Sequence, residues 1–262
     1  MSLFAFSLVL ALVTAPAPII LSQGDIYIGH LPNGAHDLRL DGKPVASTTG
    51  GDYLFGIGRD APAAARLQYS LADGTNVTRA ITIIPRAWRI QSLPALPLHP
   101  VPDAEFEARR PAELARIADA RAVISDVRGW QQRFIRPAPG PVTGVYGSQR
   151  ILAGTPAAPH AGVDFGAATG TAVVAPAAGI VRLASGPFTL EGNLVIVDHG
   201  MGLVSAFLHL SRIDVKVGDV VKQGQRLGAV GGTGRATGPH LHWGLTWTDV
   251  RVDPARLLDN PK

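Results

Sequence analysis

The chain has 262 residues, with 30 Gly, 21 Pro, 17% charged residues and a net charge of +4. That composition suits a turn-rich, mainly β protein with room for one large or two ordinary domains, and it excludes a disordered or predominantly helical chain. There is no Cys, which excludes disulfide staples, zinc ribbons and thiol nucleophiles. The mild basic excess forms no Lys/Arg run of the kind that marks a nucleic-acid binder, so no nucleic-acid partner is expected.

The opening stretch, MSLFAFSLVLALVTAPAPIILS (residues 1–22), is apolar and then rich in Pro and small residues. It reads as a secretory signal peptide with candidate cleavage points near Ala15 or Ala17, although no Lys or Arg precedes the apolar core. An uncleaved anchor is the alternative reading, which Pro16 and Pro18 disfavour. Both readings place the remainder outside the cytoplasmic membrane, in the periplasm or cell envelope, with membrane contact only through an uncleaved N-terminal segment.

Residues 23–100 read as a small N-terminal β-sandwich. DIYIGHL, DYLFGIG, ARLQYSLADG and TRAITII are strand-like, and Pro32-Asn33-Gly34, Gly50-Gly51 and Asp73-Gly74 are turn signals between them. GIGRDA (residues 56–61) matches a phosphate-loop pattern, but Pro62 follows at once and no helix can open there, so it reads as a turn. After the Pro-rich LPALPLHPVP, residues 103–136 read as a helical connector. Leu114, Ile117, Ala120, Ile124 and Val127 recur at spacings of three and four, and Pro111 is expected in the first turn of the main helix. Residues 137–262 form a second β-rich unit.

That second unit carries the chemistry. In GPHLHWGL, His240 and His242 stand two apart, and side chains at i and i+2 share one face of a strand. Pro239 argues against a helix, and Trp243, Leu245 and Trp247 alternate as on a strand, so both imidazoles are expected to project together with Leu241 and Trp243 packed behind. In PHAGVDFG, His160 and Asp164 would lie roughly 13 Å apart in an extended chain, too far to share an ion, but Gly162 between them can supply a bend. With that kink, His160 and Asp164 converge and His242 supplies a third ligand. Two histidines, one carboxylate and water make a catalytic zinc arrangement. Zn²⁺ lowers the pKa of its bound water towards ~7, and attack on an amide then needs proton transfer and oxyanion stabilisation. His240 is the expected general base. His209, at the end of the strand-like SAFLHLS, is expected to orient water or stabilise the tetrahedral intermediate.

HAGVD, FLHLS and GPHLHWGL, in that order, resemble the motifs of the lysostaphin-type, LytM-like M23 zinc metallopeptidases, over roughly residues 138–256. The resemblance implies a C-terminal antiparallel β peptidase domain and one Zn²⁺ held by His160, Asp164 and His242. It implies catalysis by His209 and His240, and bacterial peptidoglycan as substrate. The N-terminal β region resembles the accessory domain that precedes some members. Arg150 and Thr237 lie beside the motifs and are candidate groove residues. His199, in VDHGMG, is expected to be structural.

The leading reading is thus a zinc endopeptidase that cuts peptide cross-links of the wall. A second is a non-catalytic LytM-like activator of wall amidases, a role that goes with lost zinc ligands; all are present here. A third is a swinging-arm carrier, since GTAVVAPAAGIV and VKVGDVVKQGQRLGAV resemble biotinyl/lipoyl half-motifs. Neither Lys216 nor Lys222 has the context that a modified lysine needs. The N-terminal region is expected to cover the groove or to dock an envelope regulatory protein.

Overall fold

The computed structural model describes residues 17–258, so residues 1–16 of the expected leader (1–22) lie outside them. The N-terminal unit contains six strands of four or more residues: β1 (Ile19–Ser22), β2 (Ile26–His30), β3 (His36–Leu40), β4 (Asp52–Gly56), β5 (Ala64–Ser70) and β6 (Asn76–Ile84). This unit therefore begins at Ile19, just after the candidate cleavage points, rather than at residue 23. One sheet runs β1-β6-β5-β3, with β1 parallel to β6; β2 and β4 form a separate antiparallel pair. Leu38, Phe55, Leu67, Ile81 and Ile83 meet between them.

β4 is apolar on both faces, and the alternation of a strand puts each face to use. Tyr53 and Phe55 enter the N-terminal core, whereas Leu54 enters the core of the C-terminal unit. Gly56 completes the approach, because a Cβ there would come within 2.6 Å of Val252 Cγ1. GIGRDA is a turn, as expected.

Beyond the sandwich come β7 (Ile90–Leu93) and then helix α1 (Asp103–Ala122). The helix differs from its sequence reading in two ways. It ends at Ala122, because Val123 turns extended (φ −76°, ψ 119°) and is followed by the poor helix formers Ile124, Ser125 and Asp126. Ile124 is thus 59% exposed rather than part of the apolar stripe, and Leu114 is 49% exposed. Helix formation starts eight residues before Pro111, which therefore lies inside the helix and leaves the Glu107 carbonyl without its usual amide. Only Ile117 and Ala120 of the expected stripe are buried.

The C-terminal unit contains β8 (Val142–Gly144), β9 (Gln149–Leu152), β10 (Gly162–Gly166), β11 (Ala172–Val174), β12 (Gly179–Phe188), β13 (Gly192–Asp198), β14 (Leu203–Leu210), β15 (Arg226–Ala229), β16 (His240–Trp247) and β17 (Val250–Val252). Its main sheet is antiparallel in the order β12-β13-β14-β16-β10-β8, with β17 paired to β16. One face carries the core residues Val195, Val197, Phe207, Leu241, Trp243 and Leu245. On the other, Leu183, Ile196, Ala206 and Gly244 form a row across four strands. Ile117 and Ala120 of α1 pack on this second face, against Leu183, Phe188, Leu194, Ile196, Val204 and Ala206. Burying Ile117 alone contributes about 1.5–3 kcal/mol. His242 projects from the same face, so α1 and the H-x-H motif share one side of the sheet.

Candidate metal centre

Strand register assembles the site. The β10–β16 ladder sets Asp164 opposite His242 and Gly166 opposite His240. The β14–β16 ladder sets Leu208 opposite His242, which leaves His209 one step beyond that pair. His240 and His242 do share a face, with Leu241 and Trp243 at 0% exposure behind them. Gly162 is not a bend: it opens β10 opposite Gly244, where a Cβ would collide with the Trp243 carbonyl. Convergence comes instead from His160, which precedes the strand and is tied back through its amide to Ser148 O at 2.9 Å.

His160 Nε2 lies 2.9 Å from Asp164 Oδ1 and 2.9 Å from His242 Nδ1, and the latter two atoms are 2.8 Å apart. His160 Nδ1 is 3.0 Å from the Val145 carbonyl. A carbonyl only accepts, so Nδ1 carries the proton and Nε2 turns a lone pair into the cluster. Three ligand atoms thus converge, and all three residues are buried. Without a proton on His242 Nδ1 the triangle is one of facing lone pairs, and a cation in that proton's place stabilises it. Two imidazoles and a carboxylate are a donor set for Zn²⁺ with a fourth position left open, so the residues present fit a zinc ion. Burial, opposed by Asp164, pushes His242 down to about 4. Gly144 presses on this cluster from β8; a Cβ there would collide with Asp164 Oδ2 and lie 2.9 Å from His160 Cε1.

Two further imidazoles flank the triangle, with ring centroids 4.9 Å apart. His209 Nδ1 donates to Thr233 O and His240 Nδ1 donates to Gly238 O, each at 2.8 Å. By the same argument each carries its lone pair on Nε2, and His240 Nε2 is 3.9 Å from Asp164 Oδ1. His209 has a left-handed backbone (φ 63°), a costly conformation for this residue type, and its amide donates to Glu191 O at 2.9 Å. Burial, then the neighbouring His242 and His240, push His209 down to about 3.

The two sequence-nominated groove residues are close by. Arg150 and Thr237 line a cavity of about 260 Å³ together with Asp164, His209 and His240. Arg150 Nη2 is 3.7 Å from Asp164 Oδ2. Arg235 lines the same cavity and was not singled out, although it sits in GGTGRATG just before the H-x-H motif. Gln91, Leu93 and Leu96 also reach it, because β7 pairs in parallel with β9. Nothing local in those residues signals that long-range pairing. His199 lies apart from the cluster and is structural. Its Nδ1 donates to Ala178 O at 2.8 Å, and its Nε2 accepts from Ser205 Oγ at 2.8 Å. Ser205 Oγ in turn accepts from Trp243 Nε1 at 3.1 Å.

A buried set of two imidazoles and a carboxylate on an antiparallel sheet, with two more imidazoles turned towards it, defines a metal centre of hydrolytic type. Residues 158–254 match the model of peptidase family M23. A solved peptidase M23 from Pseudomonas aeruginosa aligns over 94% of this chain and 96% of its own, with 31% identity and a TM-score of 0.68. The chain belongs to peptidase family M23. Among curated relatives, the peptidoglycan DD-endopeptidase ShyA of Vibrio cholerae is 46% identical over 102 residues, which is 38% of this chain and 23% of that protein. The cell division protein DipM of Caulobacter vibrioides is 39% identical over 98 residues, 37% of this chain and 16% of that one. The chain thus spans less than a quarter of the length of these two relatives.

Proposed function

We propose that this chain is a zinc-dependent endopeptidase that hydrolyses peptide cross-links in bacterial cell-wall peptidoglycan. The observation that carries the proposal is the closed triangle of His160 Nε2, Asp164 Oδ1 and His242 Nδ1, flanked by two imidazoles that offer Nε2 lone pairs. His160, Asp164 and His242 would hold a zinc ion, which would supply Lewis acidity and lower the pKa of water towards neutrality. His240 Nε2 takes the proton from water and returns it to the leaving amine, in the role of general base and then acid. His209, held neutral by burial, accepts a hydrogen bond from the same water and orients it. The Arg150 guanidinium, beside Asp164, stabilises negative charge developing on the carbonyl oxygen. Thr237 lines the groove beside His240.

The activator alternative is not favoured, since every expected ligand is present and converges. Peptidoglycan as substrate implies an envelope location, and a leader that ends at Ala15 or Ala17, before β1, suits export to the periplasm. No helix among the described residues is long and apolar enough to cross a membrane. The N-terminal sandwich, residues 19–84, is well placed to dock an envelope regulator because it packs on the peptidase unit through β4. Digestion of purified sacculi tests the reading, with muropeptides identified by mass spectrometry. Wild type should release cleaved cross-links, and chelator or His240→Ala should abolish release. Cleavage that survives both would contradict the proposal.

A further inference from the structure

The sheet face that carries His242 does not run freely into solvent. α1 crosses it, and a cavity of about 250 Å³ remains between the helix and the metal cluster, with His209 and His242 in its wall. Five guanidinium groups line this cavity: Arg110 and Arg121 from α1, Arg150 from β9, Arg235 from the loop before β16, and Arg251 from β17. Among the described residues Glu191 is the only carboxylate in the lining, and Arg110 already grips it through two bonds of 2.7 and 2.8 Å.

The remaining four cations are under-compensated. Arg121 makes no hydrogen bond or ion pair among the described residues. Arg150 Nε is buried without a partner, and its Nη2 reaches only Asp164, at 3.7 Å. Arg235 donates to the Leu98 carbonyl at 2.6 Å, which carries no charge, and Arg251 is exposed at the rim. Burial pushes Arg121, Arg150 and Arg235 below the ordinary arginine range, and like-charge neighbours add to the shift at Arg121 and Arg235. A guanidinium still keeps its proton there. Glu191 and Asp164 offset this positive charge only in part, and an excess of positive charge held in a half-buried cavity costs free energy, which a bound anion relieves. The volume equals roughly eight waters, enough for a short peptide terminus or side chain. The wall includes two imidazoles of the metal site, so an occupant would lie beside the bond being cut.

We propose that this arginine-lined cavity is a subsite for a free carboxylate of the substrate's stem peptide. On this view α1 closes the groove at that end and, with Arg121, makes the enzyme select peptides whose carboxylate next to the scissile bond is unmodified. The inference rests on the peptidase reading above. Planar guanidinium forks match a carboxylate in two-point fashion, which an amide cannot reproduce.

The test is a binding measurement on the full chain, so it does not depend on turnover. Zinc-loaded His240→Ala protein is titrated calorimetrically with a synthetic cross-linked stem-peptide dimer, its carboxylates either free or converted to carboxamides. Inorganic phosphate is the control. The free acid should bind at least about tenfold more tightly than the amide, as expected for a charge-assisted contact. Adding Arg121→Met should remove most of that preference, and Arg251→Gln should reduce it. Arg121 makes no hydrogen bond or ion pair among the described residues, and an unchanged melting temperature confirms that the variant is folded. Equal binding of acid and amide overturns the proposal, as does a preference that survives both arginine substitutions. Phosphate competing as well as the peptide would also overturn it, marking a site for any anion. Failure of the wild type to cleave the dimer would sink the peptidase reading and leave this binding result separately readable.

Discussion

Replacing Gly144 by Ala adds one methyl group, and the structure predicts that it disables the metal centre. Gly144 has no left-handed φ, so Ala is tolerated by the backbone. The new Cβ would lie 2.9 Å from His160 Cε1, where ordinary contact begins at 3.4 Å, so the ring must retreat by about 0.5 Å; Asp164 Oδ2, closer still, must retreat further. Those two side chains supply two of the three proposed ligands. Overpacking of this kind costs about 1–3 kcal/mol of stability, and disturbing ligand orientation typically costs ten- to hundredfold in metal affinity. Zinc affinity, measured by competition with a chromophoric chelator, should therefore fall by about ten- to hundredfold, while the far-ultraviolet dichroism of the folded protein is retained. An affinity within twofold of wild type would show that the cluster has slack the structure does not display, and would refute the argument.

Other substitutions probe separate parts of the account. His240→Ala should lower kcat/KM by about 10²–10⁴-fold with zinc content unchanged, and His209→Ala should cost less; the reverse order would reassign the general base. Ser205→Ala leaves the Trp243 indole N–H and the His199 Nε2 lone pair without partners, and should destabilise by about 2–4 kcal/mol in denaturant unfolding with an unchanged m-value. Burial holds His199 at about 4 in the native state, against 6.5 for the exposed group. The unfolded chain therefore binds more protons across that window, so the contribution of His199 is full above pH 6.5 and falls by about 3 kcal/mol as the pH drops to 4; the depressed His209 and His242 add losses of the same sign in the zinc-free protein. Melting curves of the zinc-free protein between pH 4 and 8 should show a loss of stability towards acid, and His199→Gln should reduce its slope; an unchanged slope in the variant would contradict the buried neutral assignment.

Much of the site was legible because strand periodicity is a local property. His240 and His242 on one face, with Leu241 and Trp243 behind, follow from a spacing of two. His160, Asp164 and His209 stood out as groups suited to metal chemistry in Gly-flanked, strand-like contexts. What escaped depends on long-range geometry. The carbonyls of Val145, Thr233 and Gly238 orient three imidazoles, yet every residue has a carbonyl and none announces its use. Leu54 turns to one core while Tyr53 and Phe55 turn to another, which an unbroken apolar run does not reveal. The arginines at 110, 121, 150, 235 and 251 lie far apart in the chain and meet only because α1 folds onto the face of the sheet that carries His242. The helix end is hidden in the sequence because Ile124 and Val127 continue the apolar spacing after the backbone has left the helix.

Anomalous diffraction at the zinc edge, on crystals grown with zinc, addresses the central claim most directly. The account predicts one strong peak about 2.0–2.2 Å from His160 Nε2, Asp164 Oδ1 and His242 Nδ1 together. A map with no peak among those atoms, or with zinc bound elsewhere while the three side chains point apart, would contradict it.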